Sequence, residues 1–217
     1  MDAKTLIAKR VALEMKDGDV VNLGIGIPTL VADQLATGVQ VILQSENGFL
    51  GLRPAGEGEI DPDLTNAGGK PVSIMPGGSV FDSCMSFAII RGGHVAATVL
   101  GALEVDQEGN LANWMVPGKM VPGMGGAMDL VVGARKVIVA MEHTAKGGAP
   151  KILKKCTLPL TAKAEVNMIV TELAVFTVTS EGLVLQEVAP GVTIDMVKAS
   201  TDAEFTISAN CQEMKVQ

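Results

Sequence analysis

Three short runs in this chain are almost free of charged side chains: Val39-Gln40-Val41-Ile42-Leu43, Val95-Ala96-Ala97-Thr98-Val99-Leu100 and Lys136-Val137-Ile138-Val139-Ala140-Met141. None alternates strictly between apolar and polar residues, as a strand with one wet face would. They therefore read as strands covered on both sides. A fourth strand is expected at Asp19 to Leu23. Helical stretches fall between them. Asp2 caps a first helix whose Ile7, Val11 and Met15 share one face, with Gly18 as the stop signal. Pro28 opens a second helix, reaching Ala36, and Asp82 caps a third that ends at Gly92-Gly93. Strands covered on both faces and alternating with helices predict an α/β fold built on an open, mainly parallel sheet flanked by helices. The later stretch Ala174 to Thr179, Ser180-Glu181-Gly182 and Leu183 to Val188 predicts a hairpin, hence some antiparallel strands near the C-terminus. The segment 45–70 reads as loop, followed by a short strand, Pro71 to Met75, and a turn at Pro76-Gly77-Gly78.

The length of 217 residues allows a substantial core, and residues 1–217 are expected to form a single domain. At 3% aromatic content the core must be aliphatic and filled with methionine. A formal net charge of −7 argues against a nucleic-acid surface. Cys84, Cys156 and Cys211 form neither a disulfide framework nor a metal-ligand spacing, and no metal is expected. No apolar run is long enough to span a bilayer, and the start MDAKTLIAKR lacks a signal-peptide pattern. The expectation is a cytoplasmic protein with no membrane partner.

Chemistry must then be sought in the glycine-rich loops beyond the strand ends, where open sheets of this kind bind ligands. Gly24-Ile25-Gly26-Ile27-Pro28 lacks the third glycine of a dinucleotide-binding loop. It fits a tight strand-to-helix turn, or a loop that lets a substrate approach backbone amides. Gly123 to Asp129 sits in a long loop with no periodicity, where amides unobstructed by side chains could serve an oxyanion. Lys119, in the same loop, fits a solvated lysine or a phosphate contact. His94 and His143 have no serine or cysteine placed as a nucleophile nearby, and a hydrogen-bonding role suits His143. In Gln44-Ser45-Glu46-Asn47-Gly48, a carboxylate follows a strand directly. That residue is either a simple turn carboxylate or an acid presented at the rim of a site. The apolar residues after it, Phe49, Leu50 and Leu52, suggest exclusion of water or contact with a partner.

Taken together, VNLGIGIP, LQSENGFLGL, NAGG, SFAIIRGGHV, LANWMVPGKMVPGMGGAMDLV, MEHTAKG and CTLPLTA resemble the beta subunit of family I CoA-transferases of the 3-oxoacid type. The resemblance runs from about Lys4 to Phe205. It implies that Glu46 is the catalytic glutamate, and that Asn22 and the backbone of Gly126 and Ala127 stabilise the oxyanion. Gly24, Gly26, Gly48 and Lys119 become candidate contacts to substrate or CoA. The implied activity is transfer of CoA between an acyl-CoA and a small carboxylic or 3-oxo acid through a glutamyl-CoA thioester. CoA enters as substrate, with no permanently bound cofactor. The resemblance also implies a separate alpha subunit, in a heterotetramer of two alpha and two beta chains. Arg53 stands where the family usually has glycine. Two rivals share such folds. A sugar-phosphate isomerase needs clustered basic and acidic residues that this sequence does not group. A ligand sensor has no need of an acid placed directly after a strand.

Overall fold

The computed structural model describes residues 1–118, 121 and 123–216. Helix α1 (Ala3–Ala12) is capped by Asp2, whose carboxylate accepts from the Thr5 amide. Strand β1 (Val20–Leu23) leads through Gly24 to Gly26 into a 3-10 helix, Ile27–Gln34, with Pro28 in its first turn. Strands β2 (Ile42–Ser45), β3 (Phe49–Pro54) and β4 (Val72–Val80) follow, then α2 (Ser83–Arg91) and β5 (Ala97–Leu100). Next come β6 (Glu104–Asp106), β7 (Leu111–Ala112), α3 (Ala127–Gly133), β8 (Val137–Ala140) and β9 (Ile152–Leu153). The chain closes with β10 (Met168–Val170), β11 (Ala174–Thr179), β12 (Gly182–Val188), α4 (Ile194–Ser200) and β13 (Phe205–Glu213).

Ten strands form one sheet in the order β13-β12-β11-β10-β8-β5-β1-β2-β3-β4. The central five, β10 to β2, are parallel throughout. The expected mainly parallel α/β sheet is therefore present at the centre. Helix α1 and the 3-10 helix cover one face through Ile7, Val11, Val31, Val21, Val99 and Ile138. The other face packs against α3, α4 and the small sheet β7-β6-β9 through Val131, Val197, Val105, Leu111 and Ile152. Being covered on both sides explains why β5 and β8 are wholly buried and read as continuous apolar runs. The predicted C-terminal hairpin is β11–β12, paired from Thr179↔Gly182 to Ala174↔Val188. Helix α4 then carries the chain over to β13, which pairs parallel to β12.

Three expectations need correction. The strand expected at residues 39–43 lies at Ile42–Ser45, and its buried members are Gln44 and Ser45 rather than the apolar residues. Segment 45–70 is not all loop, because β3 turns straight back on β2 with Ser45↔Phe49 paired. Pro76-Gly77-Gly78 is no turn either; β4 runs through it. Pro76 is tolerated because Met75 to Gly78 bulge out of the pairing between Leu52↔Ile74 and Leu50↔Ser79, on an edge strand, so a missing N–H breaks no ladder. The pairing of β3 with β4 shifts register between Leu50 and Leu52, at Gly51, whose φ is +80°. Phe49, Leu52 and Val72 bury one another in a small core with Leu43, Leu64 and Ile74. Phe49 and Leu52 are apolar because they hold this three-stranded flap together.

Candidate active site

Glu46 is the first residue of the β2–β3 hairpin loop. The loop is Glu46-Asn47-Gly48, closed by the Gly48 amide donating to the Ser45 carbonyl at 3.0 Å. Such three-residue loops commonly need a left-handed residue in third place. Gly48 supplies it at φ +117°, and any Cβ there would collide with the Phe81 carbonyl. The turn is braced from both sides. Ser45 Oγ donates to Asn47 Oδ1 at 2.7 Å and accepts from the Ala67 amide at 3.1 Å. Asn47 Nδ2 donates to the Thr65 carbonyl at 2.7 Å. The NAGG segment thus folds onto the SENG turn. Glu46 is thus a residue of a braced turn.

Glu46 is half-buried. Among the described residues, its side chain has one donor within 3.5 Å, Asn22 Nδ2 at that distance from Oε2. Asn22 lies at the carboxyl end of β1 and is 3% exposed. Its nitrogen also donates to the side-chain oxygen of Gln44 at 2.8 Å and to the Gln44 carbonyl at 3.2 Å. The third wall is the start of α3. A Cβ on Gly126 would lie 3.0 Å from Glu46 Cγ, and one on Gly125 would lie 3.7 Å from Glu46 Oε1. At Gly126 a side chain would press on Glu46, whereas at Gly125 the distance is ordinary contact and glycine is favoured instead by its φ of +54°.

The predicted residues do not all gather there. Asn22, Gly126 and the hairpin turn surround Glu46. The Ala127 amide beside them donates to the Met124 carbonyl at 3.2 Å. Gly24 sits at the β1 end with its amide donated to the Val99 carbonyl at 2.8 Å, and a Cβ there would press on the same oxygen. Gly26, at φ +92°, precedes the 3-10 helix and has open space where a Cβ would be. Gly48 shapes the turn. Lys119 lies outside the described residues. Arg53 is engaged by Glu59 in a two-pronged ion pair at 2.6 and 2.7 Å.

His143 follows β8 at the same end of the sheet. It is fully buried, with Nδ1 at 2.9 Å from Thr171 Oγ1 and Nε2 at 2.9 Å from Thr201 Oγ1. Burial, with Lys151 adding to it, pushes its pKa down to about 4, so the ring is neutral at pH 7. The three cysteines are free. Among the described residues no helix is long and apolar enough to cross a membrane, and no cluster could hold a metal ion.

Two polar residues escaped the sequence reading. Gln44 is 3% exposed and Ser86, on α2, is fully buried; Gln44 Nε2 donates to Ser86 Oγ at 3.0 Å. Their signal was available. Asn22, Gln44 and Thr98 are polar residues within three central strands, and the register pairs Asn22 with both of the others. A row of polar side chains inside a covered sheet seldom occurs without a task.

The open α/β sheet thus carries a carboxylate on a glycine-lined rim beyond its parallel strands. Residues 4–200 match the Coenzyme A transferase family, and the chain belongs to that family. It is 62% identical to the beta chain of the acetate CoA-transferase of Haemophilus influenzae over 216 residues, covering 100% of this chain and 97% of that protein. It is 51% identical to one of the subunits of the probable succinyl-CoA:3-ketoacid coenzyme A transferase of Bacillus subtilis over 208 residues, 95% of this chain and 96% of that one. Among solved structures, an acyl-CoA transferase from Escherichia coli O157:H7 superposes with a TM-score of 0.80 at 25% identity, over 99% of this chain. The match spans 43% of that longer protein.

Proposed function

We propose that this chain transfers CoA between an acyl-CoA and a small carboxylic acid, with Glu46 as the nucleophile. The observation that carries the reading is the half-buried Glu46 carboxylate on a braced turn, with the Asn22 amide and the Gly125-Gly126 backbone against it. Glu46 attacks the thioester carbonyl of the donor, forming an acyl-glutamyl anhydride and releasing CoA thiolate. The thiolate attacks the glutamyl carbonyl, forming glutamyl-CoA and releasing the donor acid. The acceptor acid then runs both steps in reverse. A carboxylate nucleophile suits this task because glutamyl-CoA is a thioester like the acyl-CoA that enters, so the bond energy is kept until the acceptor acid arrives. The scheme is covalent catalysis with ping-pong kinetics.

Every attack creates a tetrahedral oxyanion, and one well-placed donor to it contributes on the order of 10²–10³ in rate. Asn22 Nδ2 and the Gly126 backbone amide are assigned that role, and the Ala127 amide could join them only by leaving the Met124 carbonyl. The contact of Asn22 to Glu46 is long in the free chain, as catalytic hydrogen bonds often are before substrate binds.

A separate alpha subunit completes the enzyme in this reading, as two alpha and two beta chains. Its support is that relatives covered almost end to end are each named as one subunit of their enzyme. Acetate is the first acid to test, since the relative that is 62% identical carries that name. Butyrate, succinate, acetoacetate and 3-oxoadipate complete the panel. Three free cysteines suit a reducing compartment, and the proposal places the enzyme in the cytoplasm. The test is reconstitution with the alpha subunit, incubation with acetoacetyl-CoA and mass spectrometry of the peptide holding Glu46. A CoA adduct on that residue, converted by hydroxylamine, is the expected result. No adduct, together with normal turnover by Glu46→Ala, would remove Glu46 from the mechanism.

A further inference from the structure

The hydrogen bonds behind Glu46 have a direction. The Ser45 carbonyl has lone pairs and no proton, so it can only accept. Ser86 Oγ donates its single proton there, at 3.2 Å. With that proton committed, Ser86 faces Gln44 as an acceptor, and Gln44 must turn its amide nitrogen toward it, at 3.0 Å. The other end of the Gln44 amide is then its oxygen, which accepts from Asn22 Nδ2 at 2.8 Å. Asn22 therefore presents nitrogen, and not oxygen, on the side facing Gln44. The second proton of that nitrogen is shared between the Gln44 carbonyl at 3.2 Å and Glu46 Oε2 at 3.5 Å. Reversing either amide would set donor against donor or acceptor against acceptor. Ser86 is fully buried and Asn22 and Gln44 are each 3% exposed, so water is poorly placed to repair the mismatch.

We infer that Gln44 and Ser86 are positioning residues, forming a one-way hydrogen-bond chain anchored on the Ser45 carbonyl that holds the Asn22 N–H toward the reacting carboxyl of Glu46. The chain begins and ends in neighbouring residues, because Ser45 precedes Glu46 directly. A backbone shift of the turn would thus move nucleophile and donor together. The inference rests on the assignment of Glu46 and Asn22 above. It adds α2, through Ser86, to the elements that control the reaction.

The test uses the two-subunit enzyme and a double-mutant cycle. Gln44→Met keeps the length of the side chain and removes both ends of its amide. Expected is a fall in kcat of about 30- to 100-fold with KM for acyl-CoA changed less than about threefold, the size of a misplaced oxyanion donor. In the Asn22→Ala background the same substitution should change kcat less than about twofold, since its effect passes through Asn22. Ser86→Ala should repeat the pattern at about 10-fold, and it carries the test if Gln44→Met does not assemble. An equal loss in both backgrounds, no loss in the parent, or a loss confined to KM overturns the inference. Asn22→Ala with full activity, beside an inactive Glu46→Ala, overturns the chain and leaves the nucleophile standing. Normal turnover by Glu46→Ala overturns both.

Discussion

Glu46 and His143 stand beyond the carboxyl ends of two central strands, β2 and β8, on the same edge of one sheet. Position alone does not tell them apart. His143 has both ring nitrogens bonded at 2.9 Å, to Thr171 and Thr201, and is sealed from solvent. Among the described residues Glu46 has one side-chain hydrogen-bond contact, at 3.5 Å, and it is half-buried. A polar group whose bonding capacity is filled by the fold is committed to the fold. A group left short of partners, on a turn held rigid around it, is free to bind something else. What separates these two residues is that the fold fills the bonding capacity of the histidine and leaves the carboxylate open towards solvent.

The largest effect should come from the unfilled group. Glu46→Gln is expected to lower kcat on the order of 10⁴-fold or more in the two-subunit enzyme, with an unchanged melting temperature. Glu46→Asp, which withdraws the carboxyl by one methylene, should cost about 100-fold. A Glu46→Gln enzyme with kcat within tenfold of the parent would erase the contrast with His143. Replacing His143 should do the reverse. His143→Leu removes both ring-nitrogen contacts, to Thr171 and Thr201, from a fully buried site, and is expected to lose about 2 kcal/mol in urea unfolding, while the surviving folded enzyme keeps kcat within about threefold.

The same histidine gives a pH test. Its folded pKa, about 4, lies below the ordinary value of 6.5, so between these limits the unfolded chain binds more protons than the folded one. Stability contributed by neutral His143 is complete above about pH 6.5 and is lost as pH falls towards 4, a change of about 3 kcal/mol. Urea midpoints from pH 7 to pH 4 measure it. His143→Gln should flatten that part of the curve, and an equally steep variant would refute the assignment.

Two further substitutions sharpen the comparison at smaller scale. Gly48→Ala puts a side chain into a left-handed turn against the Phe81 carbonyl, and should cost about 2 kcal/mol together with most of the activity. Thr98→Val lies at the other extreme. The Thr98 hydroxyl is buried with no partner among the described residues, so an isosteric methyl should raise stability by up to about 1 kcal/mol.

Much of the fold was legible. Continuous burial of β5 and β8 leaves an unmistakable apolar record, and the β11–β12 hairpin announces itself through β-branched residues around Ser180-Glu181-Gly182. The flap β3–β4 was not legible. Pro76 and two glycines signal a turn locally, and their place in an unpaired bulge of the edge strand β4 makes them acceptable there. At the site, Glu46 and its glycine turn stood out, as did the nearby Asn22 and Gly126 once the motifs were matched to a family. Gln44 and Ser86 did not, because their meaning lies in a bond between residues 42 positions apart.

The sequence by itself determined the α/β class, the helix caps at Asp2 and Asp82, the family, and the placement of an acid immediately after a strand. These follow from periodicity, capping chemistry and contiguous motifs, all of which act over a few residues. Only the tertiary structure decided that His143 is saturated and that Glu46, among the described residues, is not. The partners of the histidine lie 28 and 58 residues further along, and a hydrogen bond made through space leaves no local trace in the chain.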